Sequence, residues 1–357
     1  MELDRYQRQT NLKDFGPEAQ HKLKNASILV IGAGGLGTPA LSYLNAMGVG
    51  TLGVIDQDKI EITNLQRQVL YTEADLGKSK LATLVAHLKS QNSGTHFKTF
   101  DTFINRDNAL DIISKFDLVI DGSDNFSTRY LVNDACVILN KPFVSGAIQG
   151  FEGQLSVYNF QGGPTYRCLF PNMPSPNEIP NCNDNGVLGV IPGIIGSLQA
   201  LEAVKVVAEI GEVLSGKLLL FNGLSQSYQT IKFKVNPENR TIKELKESYG
   251  NESCDAIPTI SCEAFLQLLA TKKDIQIIDV RSREEFMDFV SKEIKAINIP
   301  LNQLMESDVN FDSRTPIYFI CQSGKRSGIG LKIVQEKYSK LSLFSVEGGI
   351  NKLLTLQ

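Results

Sequence analysis

A chain of 357 residues has room for two domains, each able to bury its own core. Its composition, 42% hydrophobic and 21% charged with a net charge of −3, is that of an ordinary soluble protein, and the lack of a basic cluster interleaved with aromatics argues against a nucleic-acid partner. No apolar run is expected to reach the ~20 residues of a membrane span, and the charged residues 1–10 do not read as a secretory signal, so no membrane association is expected.

Residues 1–26 read as a helical lead-in to an apolar run, Ile28-Leu29-Val30-Ile31. That run ends in Gly32-Ala33-Gly34-Gly35-Leu36-Gly37 and passes into a helical pattern over 36–47. A second strand, 51–55, ends on Asp56. The pattern then predicts a helix over 78–91, with Leu81, Leu84, Val85 and Leu88 on one face, and a strand at 96–100. A short helix at 108–115, a strand at 117–121, a helix over 126–139 and a strand at 142–145 come next. Strands alternating with helices imply an α/β fold with a doubly wound, mostly parallel sheet and ligands at the carboxyl ends of its strands. Asp56, Asp121 and Asp124 fall at such ends.

Beyond Gly146 the rhythm changes, and an added antiparallel part is expected. A strand at 154–158 precedes a long loop over 162–185, rich in Pro and Asn, then a helix over 194–210 and strands at 217–221 and 228–233. A loop of that length inside a domain is usually functional or mobile. The polar stretch 235–256 reads as a linker, so the domains are expected at 1–234 and 257–357. From Ile257 a smaller α/β pattern restarts, with helices at 262–269, 283–289 and 326–336, strands at 275–280, 317–320 and 343–346, and a last helix. The six cysteines, at 136, 168, 182, 254, 262 and 321, have no framework spacing. In a chain of this size they imply a reducing compartment, and a cytoplasmic location is expected.

The stretch from Ser27 to Gln68 organises the rest. Strand, glycine turn, helix, strand and acid in that order favour nucleotide binding: the glycines admit a pyrophosphate, the helix start favours its charge, and Asp56 is placed for a ribose hydroxyl. The default nucleotide for this pattern is NAD, which would make a dehydrogenase; the other reading is an ATP-using activating enzyme. The residues after Asp56 decide between them: Asp58, Thr63-Asn64-Leu65-Gln66-Arg67-Gln68 and Gly77-Lys78-Ser79-Lys80. Hydride transfer has little use for two cations beside the phosphates, whereas a reaction at a triphosphate needs such compensation. Taken singly, Arg67 and Lys80 would read as solvated surface.

These residues carry a resemblance. Arg5-Tyr6-Gln7-Arg8-Gln9, the Gly32–Gly37 turn, Asp56-Gln57-Asp58, Asn64–Gln68, Lys80 and Asp121-Gly122-Ser123-Asp124-Asn125 are similar, in order and spacing, to the MoeB/ThiF/HesA adenylyltransferases. The likeness runs from about Arg5 to Ile231 and demotes the NAD reading. It implies a Rossmann-like domain that uses ATP to activate the C-terminal glycine of a ubiquitin-like sulfur carrier. By that resemblance Gly35 approaches the phosphates, Asp56 holds the ribose and Thr63, Asn64, Leu65, Gln66 and Arg67 cover the nucleotide. Arg67 and Lys80 would offset phosphate charge, and Asp124, with Asn125 beside it, would hold Mg²⁺. On local sequence alone Asp124 reads equally as the N-cap of the next helix. Arg8 corresponds to an arginine that reaches the partner's nucleotide in a homodimer. Cys182, in the long loop, matches the cysteine with which some relatives link to the carrier. Many relatives hold a structural zinc through two Cys-x-x-Cys pairs, the first ending at the position of Cys168. Here Thr165 stands at the partner position and the stretch around Asn236 to Arg240 has no cysteine, so zinc is not expected and Cys168 reads as a leftover buried or idle thiol.

In the second part, Asp279-Val280-Arg281, Glu284-Glu285-Phe286, Asn298-Ile299-Pro300, Cys321-Gln322-Ser323-Gly324-Lys325-Arg326-Ser327 and Gly348-Gly349 resemble a rhodanese domain. The segment Glu293-Ile294-Lys295-Ala296 departs from it, lacking the usual His and Gly. Cys321 ends an apolar strand and opens a short loop closed by Arg326, from which a helix continues; loop N–H groups and the helix start would stabilise a sulfur anion and cradle a persulfide. Phosphatases also use a cysteine–arginine loop, typically one residue longer, so the shorter loop favours sulfur. The resemblances together imply carrier adenylation followed by sulfur transfer from a persulfide donor. The alternative is an activating enzyme for another ubiquitin-like modifier or peptide, with the rhodanese domain as a docking module. Molybdopterin, thiamin and tRNA thiolation all remain open as the pathway served.

Overall fold

Four successive apolar residues, Ile28 to Ile31, are almost wholly removed from water, as a central parallel strand covered on both faces requires. This strand, β1 (Ser27–Ile31), lies between β2 (Thr51–Ile55) and β4 (Leu118–Asp121), parallel to both. β3 (His96–Phe100) pairs with β2, and β5 (Phe143–Gln149) with β4, again in parallel. At Gly150, whose φ is +56°, the chain reverses into β6 (Glu152–Tyr158), and β7 (Lys217–Asn222) and β8 (Ser227–Lys232) continue antiparallel. The sheet order is β3-β2-β1-β4-β5-β6-β7-β8, the mostly parallel arrangement with an antiparallel extension expected from the sequence. In this computed structural model the described residues are 2–174, 186–249, 258–271, 274–287, 294–306, 311–312, 315–338 and 341–356.

The helices cover both faces of the sheet. α1 (Glu2–Thr10) and α2 (Gly16–Asn25) lead in, α3 (Gly37–Ala46) and α4 (Lys80–Gln91) follow β1 and β2, and α5 (Ala109–Ser114) and α6 (Phe126–Ile138) flank β4. A short helix, α7 (Tyr166–Leu169), lies inside the stretch expected to be loop. The long helix Val190–Ala208 starts four residues before the expected 194. Pro192 falls in its first turn, where an amide N–H has no intrahelical partner and its loss costs nothing. This 19-residue helix, with mean hydropathy 1.5, corrects one expectation: it is long and apolar enough to cross a membrane by length and composition. Half of it is buried, against α2, α3 and the sheet, while Val190 and Leu201 stay exposed.

The stretch expected as a linker from 235 is tied to the first unit as far as Tyr249. The Arg240 Nη1 donates to Gly162 O at 2.9 Å, and the Tyr249 hydroxyl donates to the buried Asp134 carboxylate at 2.9 Å. Arg167 holds that same carboxylate in a two-pronged pair at 2.7 and 2.8 Å. The first unit therefore runs to residue 250 and the second from 251 to 357.

The second unit is a five-stranded parallel sheet, in the order β11-β10-β12-β13-β9. Its strands are β9 (Thr259–Ile260), β10 (Gln276–Asp279), β11 (Ile297–Asn298), β12 (Ile317–Ile320) and β13 (Leu343–Val346). Separate apolar clusters form around Phe265 and Tyr318 and around Phe319 and Leu331.

Candidate functional site

Three segments of the first unit converge at the carboxyl ends of β1, β2 and β4. The glycine turn is the base. Gly32 has φ +94°, a conformation that side chains resist, and its carbonyl packs so closely on Gly37 that a Cβ there would lie 1.8 Å away. The Asp56 carboxylate accepts from the Ala33 N–H at 2.7 Å and the Asp58 N–H at 2.8 Å, tying the turn to the end of β2. Burial pushes its pKa up, and those two N–H groups oppose the rise. The Tyr71 hydroxyl secures the turn from the other side by donating to Ala33 O at 2.9 Å.

Lys80 is buried, 6% exposed, at the first position of α4, and its ammonium pairs with Asp58 at 2.8 Å. A cation at a helix N-terminus opposes the helix dipole, and here the Asp58 carboxylate offsets that cost. The solvated reading of Lys80 is thereby corrected. Arg67 is half-buried; its Nη1 donates to Thr63 O at 2.8 Å, and its stem lies beside Gly35, where a Cβ would sit 3.5 Å from Arg67 Cγ. Asn64 is buried and its side-chain oxygen accepts from the Glu61 N–H, so the loop 63–67 is a capped turn laid over the glycines. The start of the long helix meets the same place: a Cβ on Gly189 would be 2.0 Å from Gln66 O, and Pro192 touches Gly35.

At the end of β4, Asp121 is wholly buried and accepts from the Ser123 N–H at 3.0 Å and hydroxyl at 2.6 Å. It is a brace, its pKa raised chiefly by burial and pulled back by nearby Arg129. The N-cap of α6 is Asn125, whose Oδ1 accepts from the Thr128 N–H at 2.8 Å, so the capping alternative for Asp124 falls away. Asp124 itself is exposed beside it.

In the second unit Cys321 closes β12 and is buried; its Sγ lies 3.6 Å from the Ser327 hydroxyl. Gly324, at φ +87°, turns the chain into the helix Lys325–Lys337. The turn Gly348-Gly349 packs under this loop, and the Ile350 and Asn351 N–H groups donate to Cys321 O at 2.9 Å and Gln322 O at 3.0 Å. Arg326 turns its guanidinium to Glu285 and not to the sulfur. Its guanidinium forms a two-pronged pair with Glu285 at 2.7 and 2.6 Å, which holds that carboxyl down at about 2. The fully buried Arg281 pairs with Asp279 and donates to Gln322 Oε1 at 2.9 Å, fixing the loop from β10. A cleft of about 380 Å³ opens beside Arg326, lined by Val280, Ser282, Arg283, Pro300 and Leu301.

Known families match both halves. The ThiF family model covers residues 6–242 and the Rhodanese-like domain model residues 261–355. The chain belongs to the ThiF family. Among its relatives is the Aedes aegypti protein named adenylyltransferase and sulfurtransferase MOCS3, 37% identical over 96% of this chain and 84% of its own length. The Anopheles gambiae protein of that name is 38% identical over 93% and 81%. In fold the chain is similar to Escherichia coli MccB, solved with MccA-N7isoASN, at TM-score 0.60 and 22% identity, covering 68% of this chain and 75% of MccB. PaaA is similar in the same way, at TM-score 0.57 and 22% identity, over 66% and 74%.

Set on this ThiF-family fold, Gly35, Asp56, Thr63, Asn64, Leu65, Gln66, Arg67 and Lys80 belong to the converging segments just described. Arg8 is exposed on α1, and Cys182 lies outside the described residues. Among the described residues no three His, Cys, Asp or Glu side chains cluster as a metal site, yet Mg²⁺ needs no such cage: one carboxylate suffices when substrate phosphates supply the rest, and Asp124 fits that demand. Sequence reasoning missed two positioning residues. Arg129 Nη2 donates to Ser123 O at 3.2 Å and Gln199 Nε2 to Asp121 O at 2.7 Å, together fixing the loop that presents Asp124. Neither stands in a motif; for Gln199 the only signal is a polar residue inside an apolar helix.

Proposed function

We propose that this chain adenylates the C-terminal glycine carboxylate of a ubiquitin-like sulfur carrier with ATP, and then replaces the AMP with sulfur delivered on Cys321. What carries the reading is the Cys321 thiol, set in its loop in the same chain as the charge-compensated glycine turn. The carrier carboxylate attacks the α-phosphate and pyrophosphate leaves. Lys80 and Arg67 offset the charge that builds on the phosphate oxygens, Gly35 lets the backbone approach them, and Asp56 accepts from the ribose. Mg²⁺, held by Asp124, supplies further compensation of phosphate charge when bound. The adenylated carbonyl is then attacked by the outer sulfur of a Cys321 persulfide, loaded from a persulfide donor, and AMP leaves. An external thiol reductant then attacks the Cys321 sulfur of the resulting acyl disulfide, the thiocarboxylate leaves, and a second equivalent of that thiol reduces the mixed disulfide left behind and restores Cys321. Arg8 acts across a homodimer on the partner's nucleotide, and the enzyme works in the cytoplasm.

The relatives' name supports molybdenum cofactor biosynthesis as the pathway served. Pyrophosphate exchange with a panel of purified carriers tests the first half, because only a true partner should stimulate it. For the second half, Cys321→Ala should keep that exchange and yield no thiocarboxylate by mass spectrometry of the carrier. Normal thiocarboxylate formation by this variant would leave the rhodanese domain as a docking module.

A further inference from the structure

The zinc that the resemblance associates with Cys168 can be tested against the residues that meet there. Thr165 and Cys168 bound the first turn of α7, and Asn236 and Asn239 come from the segment after β8. Only one of the four carries a thiol. Around its Sγ stand the Thr165 N–H at 3.3 Å, the Asn236 N–H at 3.3 Å, the Thr165 hydroxyl at 3.4 Å and the Asn239 amide nitrogen at 3.8 Å. A structural zinc site needs four electron-pair donors facing a common centre, chiefly thiolates and imidazoles. Here the sulfur is faced chiefly by N–H donors, with the Asn236 carbonyl oxygen at 3.8 Å accepting from the thiol, and one thiol with neutral amides is too weak a ligand set. The residues do not fit zinc.

We infer that the Cys168 sulfur has taken the metal's place as the centre of a hydrogen-bonded clasp, which pins the segment 236–240 onto α7 without any ion. Thr165 and Cys168 close the N-terminus of α7 reciprocally, so the sulfur serves the helix and the incoming segment at once. Two further attachments flank it: Arg240 to Gly162 on one side, and Arg167 with Tyr249 on Asp134 beyond. The thiol also responds as an acceptor should. Burial alone would push its pKa up, but the bonds from Thr165, Asn236 and Asn239 outweigh burial and hold it below the ordinary thiol value. The expectation of an idle thiol is corrected: Cys168 is engaged, and it makes a metal-free version of a metal-bound joint.

Three measurements on the full chain decide this. Purified wild type should carry no stoichiometric zinc, and a chelator should leave its melting temperature unchanged; zinc that is present and lost in Cys168→Ala would overturn the inference. The triple variant Thr165→Cys, Asn236→Cys, Asn239→Cys should bind one zinc or cobalt per chain, with thiolate-to-cobalt absorption and chelator-sensitive melting. A folded triple variant that binds neither would show that the four positions do not converge. Finally, Cys168→Val should speed hydrogen exchange of the Thr165 and Asn236 amides on the order of tenfold, while Cys168→Ser, which keeps an acceptor, should lie closer to wild type. Unchanged exchange of both amides in Cys168→Val would mean the sulfur holds nothing, whatever becomes of the triple variant.

Discussion

Replacing Asp124 or Arg67 by Ala should cut pyrophosphate exchange on the order of 10²–10³-fold while circular dichroism and melting stay near wild type. Near-normal exchange in both variants would dismiss them from the reaction. The Glu285–Arg326 pair makes a second prediction, in pH. Glu285 is held at about 2, mainly by the hydrogen bonds from Arg326, below its ordinary 4.5. A depressed carboxylate stabilises the fold fully above its ordinary value and loses that contribution as pH falls through the depressed one. The protection lost in Glu285→Gln, followed by hydrogen exchange across 282–287 and 321–328, should therefore be constant from pH 6 to 8. It should shrink between pH 4.5 and 2. Both side chains are about a third exposed, so the effect at neutral pH should stay near or below ~1 kcal/mol. At this scale the sequence announced the types and the order of the site residues, but not their partners. Asp124 and Asn125 are both good caps, and only the chain path chooses Asn125. Lys80 looks like any surface lysine until α4 is built around its partner Asp58.

The glycine turn leaves no room for a methyl group at position 37, so Gly37→Ala should lose ATP binding by calorimetry, with the β1–α3 connection displaced. Tyr249→Phe should lower the urea stability of the first unit by roughly 1–2 kcal/mol, since it takes one donor from the buried Asp134 and leaves Arg167 in place. If Tyr249→Phe unfolds with wild-type stability, the tail of that unit is only a tether. Long apolar runs such as β1, β2 and β12 were legible because burial on both faces demands them. β9 and β11 were not: two residues each are too few to carry a period. The stretch 235–249 misled for a different reason. Its polar residues face water, and Leu245 and Tyr249, the two side chains it gives to the core, stand too far apart to form a pattern.

The two units divide the chemistry, and the chain as a whole can be tested for cooperation between copies. If Arg8 acts in trans, mixing Arg8→Ala with Arg67→Ala subunits should restore exchange in the hybrids, each of which would hold one site with both cations. Hybrids that form and stay inactive would confine Arg8 to its own subunit. The alternation of strands and helices made both α/β units readable, whereas pairing between copies leaves no period in a single chain. The seat of the Cys321 loop on Gly348-Gly349 also sets an order of manufacture. The adenylating unit is complete in sequence at residue 250, about a hundred residues before the last support of the sulfur loop has been translated. A message cut short, or a product nicked by a protease near its end, would leave a protein that still spends ATP on its carrier and returns it hydrolysed. Damage at the C-terminus would then show in a cell as wasted nucleotide before it showed as missing protein.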